Sequence, residues 1–286
     1  MKRVLQLAAA VLVAGAVSAV ASAAPAPKAG FQIKNGPTWS IPTGGTQYIF
    51  AGGDNKSFKA CGANRTLAIG WAGNAPVVRA TGYQGESIDK EALLAVHRGH
   101  TDTKVRPIVV CGTRMAPGRT MVGSKGPSIK CPVGFVGLGL YRSGFGYQST
   151  PILSEPLGAA GSRGWRYDAN VSGPMVQCVK RTSFGAMSKV KRTATLQPGQ
   201  VTGSVTAVCP RGQRAITWGT GISPSPLNRF QSVSAPYITS IVPTSNSWRL
   251  TVTTPDNLPA KEATTFSVTA ICGAPGKAYV PPKKKR

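Results

Sequence analysis

The chain has 286 residues, with 34 Lys and Arg against 9 Asp and Glu, for a formal net charge of +25. A hydrophobic content of 41% points to a globular protein and excludes a purely disordered polyelectrolyte. So basic a surface attracts polyanions: nucleic acid, lipopolysaccharide, teichoic acid, acidic glycan or anionic lipid.

Residues 1–23 are expected to be a cleaved secretory signal. Lys2 and Arg3 form a positive start, Val4 to Val20 is apolar or small apart from Gln6 and Ser18, and Ala21-Ser22-Ala23 is a small-x-small cleavage site. A membrane anchor needs about 20 strongly apolar residues, whereas this run is mostly Ala and Val. Removing Lys2 and Arg3 leaves 32 basic residues against 9 acids, or +23, on a mature chain starting near Ala24. The expected location is secreted or periplasmic, with membrane insertion not expected. In such a compartment six cysteines favour disulfides, and no C-x-x-C suggests a metal or redox site.

Residues 24–120 hold Cys61 and Cys111, the first closing a short strand in "SFKACGANRTLAIGWAG", the second closing "KVRPIVVC". Within them "ESIDKEALLAVHRG", residues 86–99, resembles a helix stopped by Gly99. His97, His100 and Asp102 make a weak metal cluster on paper, but their polar, Gly-containing surroundings favour a loop, and no metal is expected.

Residues 121–192 comprise a second unit, Cys131 to Cys178, and a basic linker. "CPVGFVGLGL" opens it, and "GWRYDANV" places Trp165 and Tyr167 on one strand face with Arg166 opposite. The linker contributes Lys180, Arg181, Lys189, Lys191 and Arg192, of which Lys189 and Lys191 share a face. Residues 193–275 form the third unit, Cys209 to Cys272. Its "SWRLTVTTP" sets Trp248, Leu250 and Val252 against Arg249, Thr251 and Thr253. Neighbours on a strand face opposite ways, so Trp165 and Trp248 are expected in the core and Arg166 and Arg249 in solvent, not stacked as a binding surface. Residues 276–286 form a basic tail in which Pro281-Pro282 precedes Lys283, Lys284, Lys285 and Arg286.

Three Cys-to-Cys loops of similar length favour sequential pairing, Cys61–Cys111, Cys131–Cys178 and Cys209–Cys272, among the fifteen connectivities that six cysteines allow. Each bridge would contribute roughly 4 kcal/mol by restricting the unfolded chain. The pattern Cys209, Pro210, Gly212, Trp248, Cys272, and its counterpart Cys131, Pro132, Gly134, Trp165, Cys178, resembles cysteine-bounded β modules of secreted bacterial proteins. The first unit departs, having Gly62 in place of proline and no matching tryptophan. The resemblance implies fold and compartment, not activity. The expected fold is all-β: three disulfide-closed pseudo-repeats arranged as a pseudo-threefold prism or trefoil-like body, or as tandem small sandwiches.

No G-x-S-x-G elbow, Walker loop or dinucleotide fingerprint occurs, and nine acids offer little for paired-carboxylate catalysis. The expectation is therefore a non-enzymatic binder without cofactor. Its predicted polyanion-binding residues are those of the basic linker and the tail. A lectin-like adhesin or protein inhibitor with a neutral ligand, and a structural matrix or envelope component, are the competing classes.

Overall fold

A computed structural model describes residues 29–41, 46–51, 61, 65–74, 77–81, 91–96, 103–116, 118–122, 127–142, 153–158, 163–167, 174–223, 236–254 and 257–280. Among these residues the protein is all-β, with 3-10 structure at Arg181–Ser183 and at Asn257. Three disulfides join Cys61 to Cys111, Cys131 to Cys178 and Cys209 to Cys272, the sequential pairing expected from loop length.

The first disulfide-closed segment carries β1 (Gly30–Asn35), β2 (Trp39–Ile41), β3 (Thr46–Ala51), β4 (Arg65–Gly73), β5 (Val77–Thr81), β6 (Glu91–Val96) and β7 (Thr103–Thr113). The second carries β8 (Arg119–Val122), β9 (Ser128–Lys130), β10 (Phe135–Arg142), β11 (Leu153–Leu157), β12 (Gly164–Tyr167) and β13 (Pro174–Lys180). The third carries β14 (Phe184–Leu196), β15 (Thr202–Val208), β16 (Arg214–Ser223), β17 (Tyr237–Pro243), β18 (Ser247–Thr253) and β19 (Thr264–Pro275).

In each segment the strand after the first cysteine pairs antiparallel with the strand bearing the second: β4 with β7, β10 with β13, β16 with β19. Thr66, Gly137 and Ala215 stand opposite the three closing cysteines, and the register slips immediately afterwards in all three pairs. The slip passes Leu67, Leu138 and Ile216, each completely buried. A bulge gives one strand an extra residue and sharpens its twist; here it delivers an apolar side chain to the interior at the same place three times.

The hairpin between the two cysteines does not stay with its own segment. β11 pairs with β16, and β17 pairs with β4 through Ile241 and Trp71. The resulting sheets run β14-β19-β16-β11-β12-β9 and β1-β7-β4-β17-β18-β15, with β2 also on β7. β5, in the three-stranded sheet β3-β6-β5, packs beside β10 of the sheet β10-β13-β8. Glycine makes the two bonded crossings close. A Cβ on Gly70 would lie 2.2 Å from the Ile241 carbonyl oxygen and 2.9 Å from the Trp248 ring, and one on Gly219 would meet Ser154 and Trp165 at the same two distances.

Strand alternation places Trp248, Leu250 and Val252 fully inside and Arg249 outside; likewise Trp165 is buried and Arg166 exposed. In the middle, the Trp218 ring lies 5.8 Å from Trp71 and 6.1 Å from Trp248. Trp218 Nε1 donates to the Ile69 carbonyl at 2.9 Å, and Thr217 Oγ1 donates to that of Leu138 at 3.0 Å. These two hydrogen bonds cross between segments and help fix how the segments meet, whereas the buried indole nitrogens of Trp71, Trp165 and Trp248 find no partner among the described residues.

The stretches that follow the three closing cysteines also interlock. Ala116 N donates to Ser183 Oγ, Gly276 N to the Ser183 carbonyl, Lys277 N to that of Thr182 and Tyr279 N to that of Arg114. Ala29, where the described chain starts, donates to the Gly276 carbonyl.

Two expectations are corrected. In the helix expected over 86–99, the described part, Glu91–Val96, is β6, paired on both sides by β3 and β5. Pairing on two edges overrides the modest helical preference of Glu, Ala and Leu. The expected linker is largely β14, thirteen residues long and paired with β19 from Phe184 to Leu196. A boundary at 192/193 therefore falls inside a strand. The alternating polar residues that suggested a linker suit a strand bonded on one edge to β19 and exposed along much of its length.

Candidate functional site

The cations predicted from sequence divide into three groups. Lys189 and Lys191 stand on one face of β14, both exposed, opposite Ile271 and Thr269 of β19. Lys191 Nζ pairs with Glu155 Oε1 on β11, a contact spanning β19 and β16. Arg166 Nη2 holds the other carboxylate oxygen at 2.8 Å, and Lys189 Nζ donates to the Pro156 carbonyl at 3.5 Å. Burial pushes the Glu155 carboxyl up, but the hydrogen bonds and charges of Lys191 and Arg166 outweigh it and hold the group below the usual carboxylate range. One acid therefore organises two cations, and Lys189 adds a third to the same sheet face.

Arg192, the next residue on β14, points to the opposite face, and its Nη1 donates to the Lys191 carbonyl at 3.0 Å. Lys180 and Arg181 sit apart from this group, where β13 ends. Lys180 is exposed. Arg181 is half-buried, and its Nη1 donates to the carbonyls of Phe184 and Gly185 at 2.9 and 2.7 Å, so one guanidinium nitrogen holds the turn into β14. Lys283, Lys284, Lys285 and Arg286 lie outside the described residues, as do His97, His100 and Asp102.

Several exposed cations escaped the sequence reading. Arg114, Lys130, Arg163, Arg211, Arg214 and Lys277 all follow or flank a cysteine or the tip of a hairpin. Their signal was position: Arg114 comes three residues after Cys111, and Arg211 two after Cys209. Glu155 had a signal too, as the one acid between Asp102 and Asp168. Glu155 and Glu262 are the acids whose side chains are described, against exposed Lys and Arg on β1, β9 and β14 and in the turns named above.

Among the described residues no His, Cys, Asp and Glu cluster could hold a metal, and no helix is long and apolar enough to cross a membrane. No protein-family model and no curated protein sequence matches the chain.

Proposed function

We propose that this is a secreted, non-catalytic binding protein that attaches to a polyanionic extracellular or cell-envelope partner through its basic surface. The observation that carries this reading is the imbalance of side-chain charge on the folded body: exposed cations recur across the sheets and turns, with Glu155 and Glu262 as the described acids. Glu155 is itself engaged by Lys191 and Arg166. Purified mature protein should be retained on heparin, duplex DNA and a cell-envelope fraction, and should elute only as salt rises. If five DNA phosphates are neutralised, the slope of log affinity against log salt is about −4.5. Retention that ignores salt, or flow-through on all three matrices, sinks the reading.

The same reading takes the body as three pseudo-repeats around a pseudo-threefold axis. Its support is the recurrence of strand order, of the bulge opposite the closing cysteine, and of a hairpin laid against the following segment, with the third returning to the first.

One observation favours a second class, a neutral glycan ligand. The outer face of β15 and β18 carries hydroxyls in ranks, with Ser204 Oγ and Thr251 Oγ1 3.0 Å apart and Thr202 Oγ1 and Thr253 Oγ1 3.4 Å apart. That reading predicts saturable binding unaffected by salt and sensitive to these hydroxyls rather than to Lys.

A further inference from the structure

One end of the molecule gathers cations from all three segments. The strands β7, β13 and β19 all finish where the stretches 114–116, 181–183 and 276–279 hydrogen-bond to one another. The turns that open β10 and β16 lie at this same end, because Phe135 stands opposite Lys180 and Arg214 opposite Gly273. The turn before β10 is tied directly to the junction, since Arg181 N donates to the Gly134 carbonyl at 2.8 Å. Each segment therefore sends cations to one pole: Arg114 from the first, Lys180 from the second, Arg211 and Lys277 from the third, all exposed. Neither Glu155 nor Glu262 belongs to these junctions or turns. In sequence, the basic end Lys283–Arg286 starts three residues after Val280, whose neighbour Tyr279 is bonded into the junction.

The same pole carries apolar side chains that the core does not claim. Val133, at the apex of the turn before β10, is fully exposed, and Val280 is 74% exposed. A soluble polyanion such as heparin gives no return on exposed valine. An anionic bilayer does, because its headgroups attract the cations while its interfacial region accepts small apolar groups.

Building on the polyanion reading, we infer that this pole docks end-on to an anionic lipid surface, with Arg114, Lys180, Arg211 and Lys277 against the headgroups and Val133 and Val280 seated among them. The hydrogen-bonded junction ties the stretches bearing Arg114, Lys180, Lys277, Val133 and Val280 to one end, and the pairing of β16 with β19 brings the turn of Arg211 to the same end.

The test uses the full mature chain in co-sedimentation with vesicles of one part phosphatidylglycerol to two parts phosphatidylcholine, with pure phosphatidylcholine vesicles and a heparin column alongside. The wild type should bind the anionic vesicles and not the neutral ones. Replacing the four cations by Gln should weaken binding roughly fivefold per charge, more than 100-fold in all. The pair Val133→Ser and Val280→Ser should lower vesicle binding about tenfold while leaving heparin elution unchanged. Thermal melts matching the wild type establish that the variants, altered only at exposed positions, remain folded. Heparin retention without vesicle binding overturns the lipid inference and leaves the polyanion reading standing. Absence of both overturns both. Vesicle binding indifferent to the valines or to the four cations overturns the docking pole.

Discussion

Glu155 lies between Lys191 and Arg166 at a point where segments two and three share a sheet. Its carboxyl is held below the ordinary value of about 4.3. A depressed carboxylate stabilises the fold above its unfolded pKa, and that contribution disappears as pH falls through the lower folded value. Glu155→Gln should therefore be less stable than wild type at neutral pH, with the gap closing below about pH 4. The difference should be small, about 0.5–1 kcal/mol, because both cations are roughly half exposed to screening water. The same substitution releases two cations and adds one net positive charge. Under the proposed function it should raise the salt concentration needed for elution from heparin, a direction opposite to its effect on stability. Melting curves at two pH values and one salt gradient measure both.

At the scale of strands, the close crossings at Gly70 and Gly219 decide whether a hairpin can lie on its neighbour. A methyl group at either position would press on a backbone carbonyl at 2.2 Å, and backbone cannot rotate aside as a flexible side chain can. Gly70→Ala and Gly219→Ala should each destabilise the protein by about 1–3 kcal/mol, read as a shift in the midpoint of urea unfolding. Ala at Gly134 or Gly199 is no fair control, since both have positive φ. Alternation made the facing of Trp165 and Trp248 readable before the fold was known, and the even spacing of cysteines made the pairing readable. The exchange of hairpins was not, because each strand has the same pattern whichever segment supplies its partner. β14 was missed for a related reason: a polar strand on a sheet edge has the composition of a surface loop. Candidate cations were found where they cluster in sequence, at Lys189 to Arg192, and missed where turns from three segments bring single residues together.

For the molecule as a whole, one main core draws on all three segments, while the second segment also holds a smaller cluster of its own around Trp165, Tyr167 and Val176. Trp71 of the first segment packs against Trp218 of the third, and Trp165 of the second covers Gly219 of the third. A fragment holding only residues 119–183 lacks β16, on which its hairpin lies, and should show neither cooperative unfolding nor dispersed amide resonances even with its disulfide formed. The full chain should unfold in one transition. A stably folded fragment would mean that the segments behave as separate domains. Three covalent loops, each contributing roughly 4 kcal/mol, then lock an assembly that noncovalent contacts must first bring together.

The pairing of β17 with β4 sets a clock on the newborn chain. About 160 residues separate the end of β4 from the start of β17, and at 5–20 residues per second a ribosome needs about ten to thirty seconds to make them. Until β7 is complete, about forty residues after β4 ends, both edges of β4 are open, and from then until β17 arrives one edge stays open beside Trp71. The first part of the protein to be made is thus among the last to be finished, and whatever escorts the chain must shield that edge until the final quarter arrives.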